Sequence, residues 1–283
     1  MNEFRMLTAS AVLFAVACAP ANQASSESSN SQAPRLVSGN DSAQARLDSS
    51  PRHGEWVVIP NGDVDSVRAW VVYPERSSNA PVVIVVHEIY GLTPWIRSVA
   101  DQLAADGFIA IAPDYLTGKG IPDSPEGPPR DAAVAAVRAL PSHEVQQRTD
   151  AVARYGMALP AAADSYGIVG FCWGGSVSFH HAVHAPSLGA AVVYYGSSPQ
   201  TQSLASVRAP VLGLYGGNDA RVNATIAPAD SAMTALGKTY EQQIYEGAGH
   251  GFLRQQDGQE GANLAASRQA WPATLAWFRQ HLQ

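Results

Sequence analysis

Five short apolar runs constrain the fold of this chain more than any other feature: VVIVVHE, FIAIAPD, YGIVGF, AAVVYYG and PVLGLYG. None alternates polar with apolar residues, so each reads as a strand buried on both faces, which requires helices above and below it. The segments between the runs supply that cover. In TPWIRSVADQLAADG, Ile96, Val99 and Leu103 recur at helical spacing and Gly107 suits the end of a helix. The closing AWPATLAWFRQHLQ puts Trp271, Leu275, Phe278 and Leu282 on one helical face. Ahead of the runs, WVVIP and VRAWVVYP are β-branched and aromatic stretches bounded by Pro and Gly, and they read as two more strands. The order predicts an α/β fold with a mostly parallel central sheet and helices on both faces. A chain of 283 residues with 46% hydrophobic content suffices for one such domain. Sheets of this kind bind ligands at the carboxyl ends of their strands.

The N-terminus reads differently. Residues 1–17, MNEFRMLTASAVLFAVA, carry Arg5 and then an apolar run too short to span a bilayer, the pattern of a signal peptide. The run ends in Ala15-Val16-Ala17-Cys18, which resembles a bacterial lipobox with Ala15 where Leu is usual, and makes Cys18 the expected lipidation site. Residues 18–54 are rich in Ser, Asn, Gln and Ala and poor in large apolar side chains, so they are expected to form a flexible tether. The globular domain then covers residues 55–283, in the periplasm or cell envelope. Its only membrane attachment would be the N-terminal lipid. With net charge −6 and 15% charged residues the chain offers no basic stripe, which argues against a nucleic-acid partner. Two cysteines supply neither a disulfide framework nor a structural zinc site.

The second cysteine carries the chemistry. YGIVGFCWGGSVSF runs a strand into a helix through Gly170-Phe171-Cys172-Trp173-Gly174, a nucleophile elbow with cysteine in place of serine. The glycines let strand and helix approach without a Cβ clash, and the helix N-terminus favours a thiolate. The bland alternative is an inert core cysteine. In elbow enzymes the acid and the histidine follow the nucleophile in that order. Asp219 lies in the Gly216-Gly217-Asn218-Asp219 turn that ends PVLGLYG, and His250 lies in Gly249-His250-Gly251 after another strand. His180, His181 and His184 share the helix after the elbow; His180 and His184 are one turn apart, too few ligands to hold a metal, so packing or solvation explains them better.

Four stretches together are similar to the dienelactone hydrolase family of α/β-hydrolases: VIVVHEIYGLTPWIRSVADQLAADGFIAIAPDYL, YGIVGFCWGGSVSF, LYGGNDARV and YEGAGHGFLR. His-Glu-Ile-Tyr-Gly combined with Gly-Phe-Cys-Trp-Gly-Gly is more diagnostic than the elbow alone. The resemblance implies a Cys172–His250–Asp219 triad with Glu88 as a further catalytic residue. Glu88 closes an apolar strand, where burial would raise its pKa and suit it to accept the thiol proton when substrate arrives. The backbone N–H groups of Trp173 and Ile89 would hold the oxyanion. Arg254 corresponds to a substrate-binding arginine, and a second carboxylate-binding arginine is sought at Arg130 or Arg138. These last two lie in a Pro/Gly-rich insert, residues 117–148, that departs from the family pattern and is expected to border the site.

The implied activity is hydrolysis of an ester or lactone through a thioester, with no metal or organic cofactor. Small carboxylated lactones of the dienelactone type come first as substrates. An acyltransferase or general carboxylesterase using the same site, or a non-catalytic ligand-binding envelope protein, are the alternatives. Thiol redox chemistry would want a resolving cysteine, and only Cys18 is available.

Overall fold

Eight strands form one sheet in the order β1-β2-β4-β3-β5-β6-β7-β8. They are β1 (Gly54–Asn61), β2 (Asp65–Val72), β3 (Ala80–Val86), β4 (Ile109–Asp114), β5 (Ala162–Phe171), β6 (Ala190–Tyr194), β7 (Val211–Gly216) and β8 (Tyr240–Tyr245). β1 and β2 are antiparallel, β2 meets β4 antiparallel, and every other pairing is parallel. The computed structural model describes Met1 and residues 35–63, 65–122 and 124–282. The signal peptide and Cys18 therefore lie outside the described residues. Residues 34–283 form one compact unit.

Side-chain alternation on the strands divides the core into two layers. From β3, Val83 and Val85 face α2 (Pro94–Ala105) and α8 (Ala262–His281), where they meet Trp95, Val99, Trp271 and Phe278. Val82, Ile84 and Val86 face the opposite layer, with α4 (Ser142–Met157), α5 (Trp173–His184) and α7 (Ile226–Ala235). α2 follows the sequence reading: Thr93 caps it, Pro94 opens it, and Gly107 beyond it has a φ of 101°. α8 is longer than the apolar stripe alone suggests, because it begins at Ala262 and runs through Pro272.

One region departs from expectation. The tether was expected to reach residue 54, but residues 35–53 are docked on the domain. Asn40–Ser42 make a 3₁₀ turn, α1 (Ala43–Asp48) follows, and Val37 and Ala43 are buried. The cause is Asp101, a carboxylate buried on α2 that gathers Arg46 at 2.9 Å, Arg52 at 2.8 Å and the Ser50 hydroxyl. Burial pushes the Asp101 carboxyl up, yet the Arg52 and Ser50 hydrogen bonds and the charges of Arg46 and Arg52 outweigh it and hold it below its ordinary value. The insert after β4 folds into α3 (Arg130–Ala139) and the start of α4. Ala133 and Val137 of α3 pack with Leu116, Ile89 and Trp173, which puts this region beside the elbow.

Strand order reverses around β3: the chain passes from β3 to β4 on one side and then to β5 on the other. Loops leaving the carboxyl ends of β3 and β5 therefore diverge and open a crevice between them. Glu88 follows β3 and Cys172 follows β5.

Candidate active site

Cys172 stands between β5 and α5 with φ 57° and ψ −114°, a conformation that L residues seldom adopt. Its N–H donates to the Tyr194 carbonyl at 3.1 Å, and its carbonyl accepts from the Ser176 N–H at 3.2 Å. The flanking glycines are demanded by close backbone approach. A Cβ on Gly170 would overlap the Gly174 carbonyl, and one on Gly175 would stand 2.5 Å from the Tyr194 carbonyl oxygen.

The helix N-terminus does not leave the sulfur a thiolate at rest. Burial pushes the thiol up, and the Glu88 charge adds to it, to about 11. The Trp173 backbone N–H and the Arg221 charge pull the other way and lose. Glu88 is only 3% exposed. Burial raises its carboxyl to about 7, although Arg254 beside it and the Arg130 charge both oppose the rise. The Arg254 Nε lies 2.7 Å from Glu88 Oε2. The site thus holds a protonated thiol, a carboxylate close to its titration point, and a guanidinium paired with that carboxylate.

His250 and Asp219 form the second pair. β7 ends in a turn held by the Gly217 N–H to the Tyr245 carbonyl at 2.8 Å and the Asn218 N–H to the Ala248 carbonyl at 2.9 Å. That turn presents Asp219, whose Oδ2 accepts from His250 Nδ1 at 2.5 Å. The bond fixes the proton on Nδ1 and leaves Nε2 as the basic nitrogen. Asp219 is buried while His250 keeps a third of its side chain in solvent.

Three further residues shape the site, and sequence reasoning did not assign them. His87 is fully buried; its Nδ1 donates to the Glu88 carbonyl at 2.6 Å and its Nε2 accepts from the Tyr115 N–H at 3.3 Å. Those partners require a neutral imidazole, and burial lowers its pKa accordingly. The ring also stacks on Trp173 at 5.4 Å, so His87 ties the loop after β3 to the residue after Cys172. Tyr90 lies between two arginines: Arg130 donates to its hydroxyl at 2.8 Å and sits 4.0 Å from its ring centre, with Arg254 5.2 Å away. Tyr195 has φ 39°, is fully buried, and its ring centre is 5.2 Å from that of His250. The signal available for all three was position, since each lies at the carboxyl end of an apolar run.

Other candidates lie apart. Arg138 is exposed in the last turn of α3. His181 turns inward to the Tyr166 hydroxyl at 3.1 Å, and His180 and His184 are exposed. A groove of about 350 Å³ runs along the outer side of α5 past Trp173, Val177, His180 and His184, but Cys172 does not line it.

A doubly wound sheet with a strained strand-to-helix elbow at Cys172, an acid after β7 and a histidine after β8 defines an α/β-hydrolase. Residues 67–282 match the dienelactone hydrolase family. The chain belongs to that family and is a hydrolase. It is 34% identical over 229 residues to the carboxymethylenebutenolidase-type protein of Salmonella typhimurium, covering 77% of this chain and 84% of that one. A Bradyrhizobium relative, named for 2-oxo-3-(5-oxofuran-2-ylidene)propanoate lactonase activity, is 31% identical over 81% of this chain and 94% of its own. Among solved structures, the dienelactone hydrolase-type protein of Klebsiella pneumoniae superposes with a TM-score of 0.70 at 30% identity, covering 81% of this chain and 99% of that one.

Proposed function

We propose that the protein hydrolyses small carboxylated esters or lactones through a thioester on Cys172. The observation that carries this reading is the buried Glu88 carboxylate, which pairs with the Arg254 guanidinium and whose charge acts on the Cys172 thiol. A substrate carboxylate is a better partner for Arg254 than Glu88, because it stays fully ionised at neutral pH whereas burial holds Glu88 close to its titration point. Arg130, across Tyr90 from Arg254, is the second cation for that carboxylate. Once Arg254 turns to substrate, Glu88 keeps its burial and loses its counter-charge, so it becomes basic enough to take the thiol proton.

The sulfur then attacks the carbonyl carbon, and the oxyanion is held by the backbone N–H groups of Trp173 and Ile89. The carbon–oxygen bond breaks, the leaving oxygen takes up the proton that Glu88 had received from the thiol, and the acyl group remains on sulfur. His250, oriented by Asp219, removes a proton from water as that water attacks the thioester, which frees the acid and restores the thiol. Nothing in this sequence of steps calls for a metal or organic cofactor. The named substrate of the Bradyrhizobium relative, a lactone bearing a carboxylate, is of the class this arrangement would accept.

The test is hydrolysis of a dienelactone and of a small aryl ester by wild type and Cys172→Ala in parallel. Dienelactone turnover lost in the variant supports mechanism and substrate class together. Aryl ester turnover alone retains the cysteine hydrolase and discards the carboxylated lactone. Full activity in Cys172→Ala sinks the mechanism. We further propose that the chain is exported and held at the cell envelope by lipid on Cys18. Unmodified Cys18 in the mass spectrum of the mature protein overturns that attachment.

A further inference from the structure

The segment ahead of residue 67, where the family match begins, is fastened to the loop that carries two of the site's residues. The Val37 side chain is buried at 1% exposure, and its carbonyl accepts from Gln256 Nε2 at 2.9 Å. The Ser38 carbonyl accepts from Trp95 Nε1 at 3.0 Å. The Asn40 N–H donates to the carbonyl of Arg254 itself at 2.8 Å. Further along, Arg46, Ser50 and Arg52 close on Asp101, so the segment is pinned at both ends.

The gripped loop needs support. It leaves β8 through His250, turns at Gly251 with φ 76°, and is closed by the N–H groups of Arg254 and Gln255 on the Gly251 carbonyl at 3.0 and 2.9 Å. Those bonds leave the Arg254 carbonyl pointing away from the turn, and Asn40 is its donor. Trp95 is a second link, because its ring lies edge-on to Phe171 at 5.0 Å, one residue before the nucleophile.

We propose that residues 36–40 are a positioning strap, with the Asn40 N–H its central contact, that holds the Arg254 backbone so that its guanidinium stays seated against Glu88 until a substrate anion draws it away. The strap acts through Arg254, and the inference rests on the thiol–Glu88–Arg254 reading above. The charged and titratable groups facing Cys172 and Glu88 are Asp219 and Arg221 after β7, His250 and Arg254 after β8, Arg130 at the start of α3 and Tyr195 at the end of β6. Residues 36–40 bring no charge of their own, so their influence on the thiol passes through Arg254's position. With Arg254 loosened, the shared proton moves from sulfur toward Glu88 and the resting thiol becomes more reactive.

Asn40→Pro in the full-length chain removes that N–H, and besides it only the exposed hydrogen bond from Asn40 Nδ2 to Asp41 at 3.3 Å. Residue 40 opens the 3₁₀ turn, where proline is tolerated, and Gly39 before it is extended at ψ 173°, as proline requires of its neighbour. Gln256→Leu, which releases the Val37 carbonyl from the other side, is the second variant should the first fail to fold. The readout is the rate of Cys172 alkylation by iodoacetamide from pH 6 to 10, followed on the Cys172 peptide by mass spectrometry. The strap predicts a rate at pH 7 at least threefold above wild type, with the ratio falling toward one as pH rises toward the thiol's own ionisation. It also predicts at least a threefold loss of preference for a carboxylated over a neutral aryl ester, carried by KM. An unchanged rate at pH 7 in a folded variant overturns the proposal, and so does an increase that is equal at every pH, which reports only a more open loop. If wild type hydrolyses no ester but alkylation responds as stated, the strap stands and the hydrolase reading falls. If hydrolysis depends on Cys172 but alkylation does not respond, the strap alone falls.

Discussion

Replacing Glu88 by Gln tests the proton path most directly, because the amide keeps the side chain's shape and removes its basicity. A thiol with a pKa of about 11 is ionised in roughly one molecule per 10⁴ at pH 7, and forming the thiolate costs about 5 kcal/mol. In the resting site Glu88 cannot cover that cost, since its own pKa is about 7. It covers part of it when Arg254 leaves, and a positioned general base contributes roughly 10²–10⁴-fold. We therefore expect kcat/KM of Glu88→Gln to fall about 10²–10⁴-fold at pH 7 on a carboxylated aryl ester. Loss of the Glu88 charge also lowers the thiol pKa, so the measured fall sits toward the lower end of that range. The pH profile separates this role from simple damage. Wild type rises through about pH 7 as Glu88 ionises and then levels. The variant continues to rise, close to tenfold per pH unit, because its thiol must lose the proton to solvent, and the two curves converge at high pH. A variant within threefold of wild type at pH 7, or one whose profile parallels it, refutes Glu88 as the proton acceptor.

Other parts of the site make separate predictions. Arg254→Ala removes a charge-assisted carboxylate partner, so KM for a carboxylated ester should rise about 10–100-fold while KM for a neutral ester changes little, which steady-state kinetics on the pair will show. Asp219→Asn can present an amide N–H to His250 Nδ1 and force the wrong tautomer; thioester hydrolysis should slow at least about 10²-fold, and an acylated Cys172 should accumulate in the mass spectrum. Arg148 is buried between Asp65 at 2.8 Å and Glu144 at 3.1 Å and donates to the Tyr115 carbonyl. Arg148→Ala leaves the buried Tyr115 carbonyl without this donor, while Glu144 keeps Lys119 at 2.6 Å and Asp65 keeps Asn61 at 2.8 Å, so chemical denaturation should show a loss of about 1–3 kcal/mol.

How far the sequence speaks depends on how local each determinant is. The elbow was legible because its requirement is written within five residues: the close approach of Gly170 and Gly174 allows no Cβ, so glycines appear at those places. Glu88 and Asp219 were legible as polar residues ending apolar runs and His250 as a histidine between glycines after a strand, and the sheet topology then brings those strand ends together. The docked segment 35–53 was not legible. Its composition is that of a tether, and its partner, Asp101, reads as a surface charge on an amphipathic helix until three donors are seen to bury it. The resting state of the thiol was also hidden. The helix N-terminus argues for a thiolate from local sequence, whereas the opposing Glu88 charge comes from a residue 84 positions earlier and the burial from the whole domain. Tyr90, clasped by Arg130 and Arg254, shows the same limit, since three loops meet there with no common spacing.

Tyr195 carries the remaining argument. It follows β6 with φ 39°, next to the strand whose own end holds Cys172 at φ 57°, and two such residues cost roughly 1–3 kcal/mol each. The packing that enforces them is the approach of α5 to β6, where a Cβ on Gly196 would overlap Gly175. Its hydroxyl is buried without a hydrogen-bond partner among the described residues, while burial, with the Glu88 charge adding, holds its pKa well above the ordinary value. An unsatisfied buried hydroxyl costs about 1–3 kcal/mol, so a residue kept only for packing would do better as phenylalanine. Tyr195→Phe should therefore raise the free energy of unfolding by about 1 kcal/mol in urea denaturation. If hydrolysis falls in the same variant, the hydroxyl is retained for substrate and not for the fold. A loss of stability instead would mean that the hydroxyl is satisfied in the native protein, and the argument from its isolation would fail.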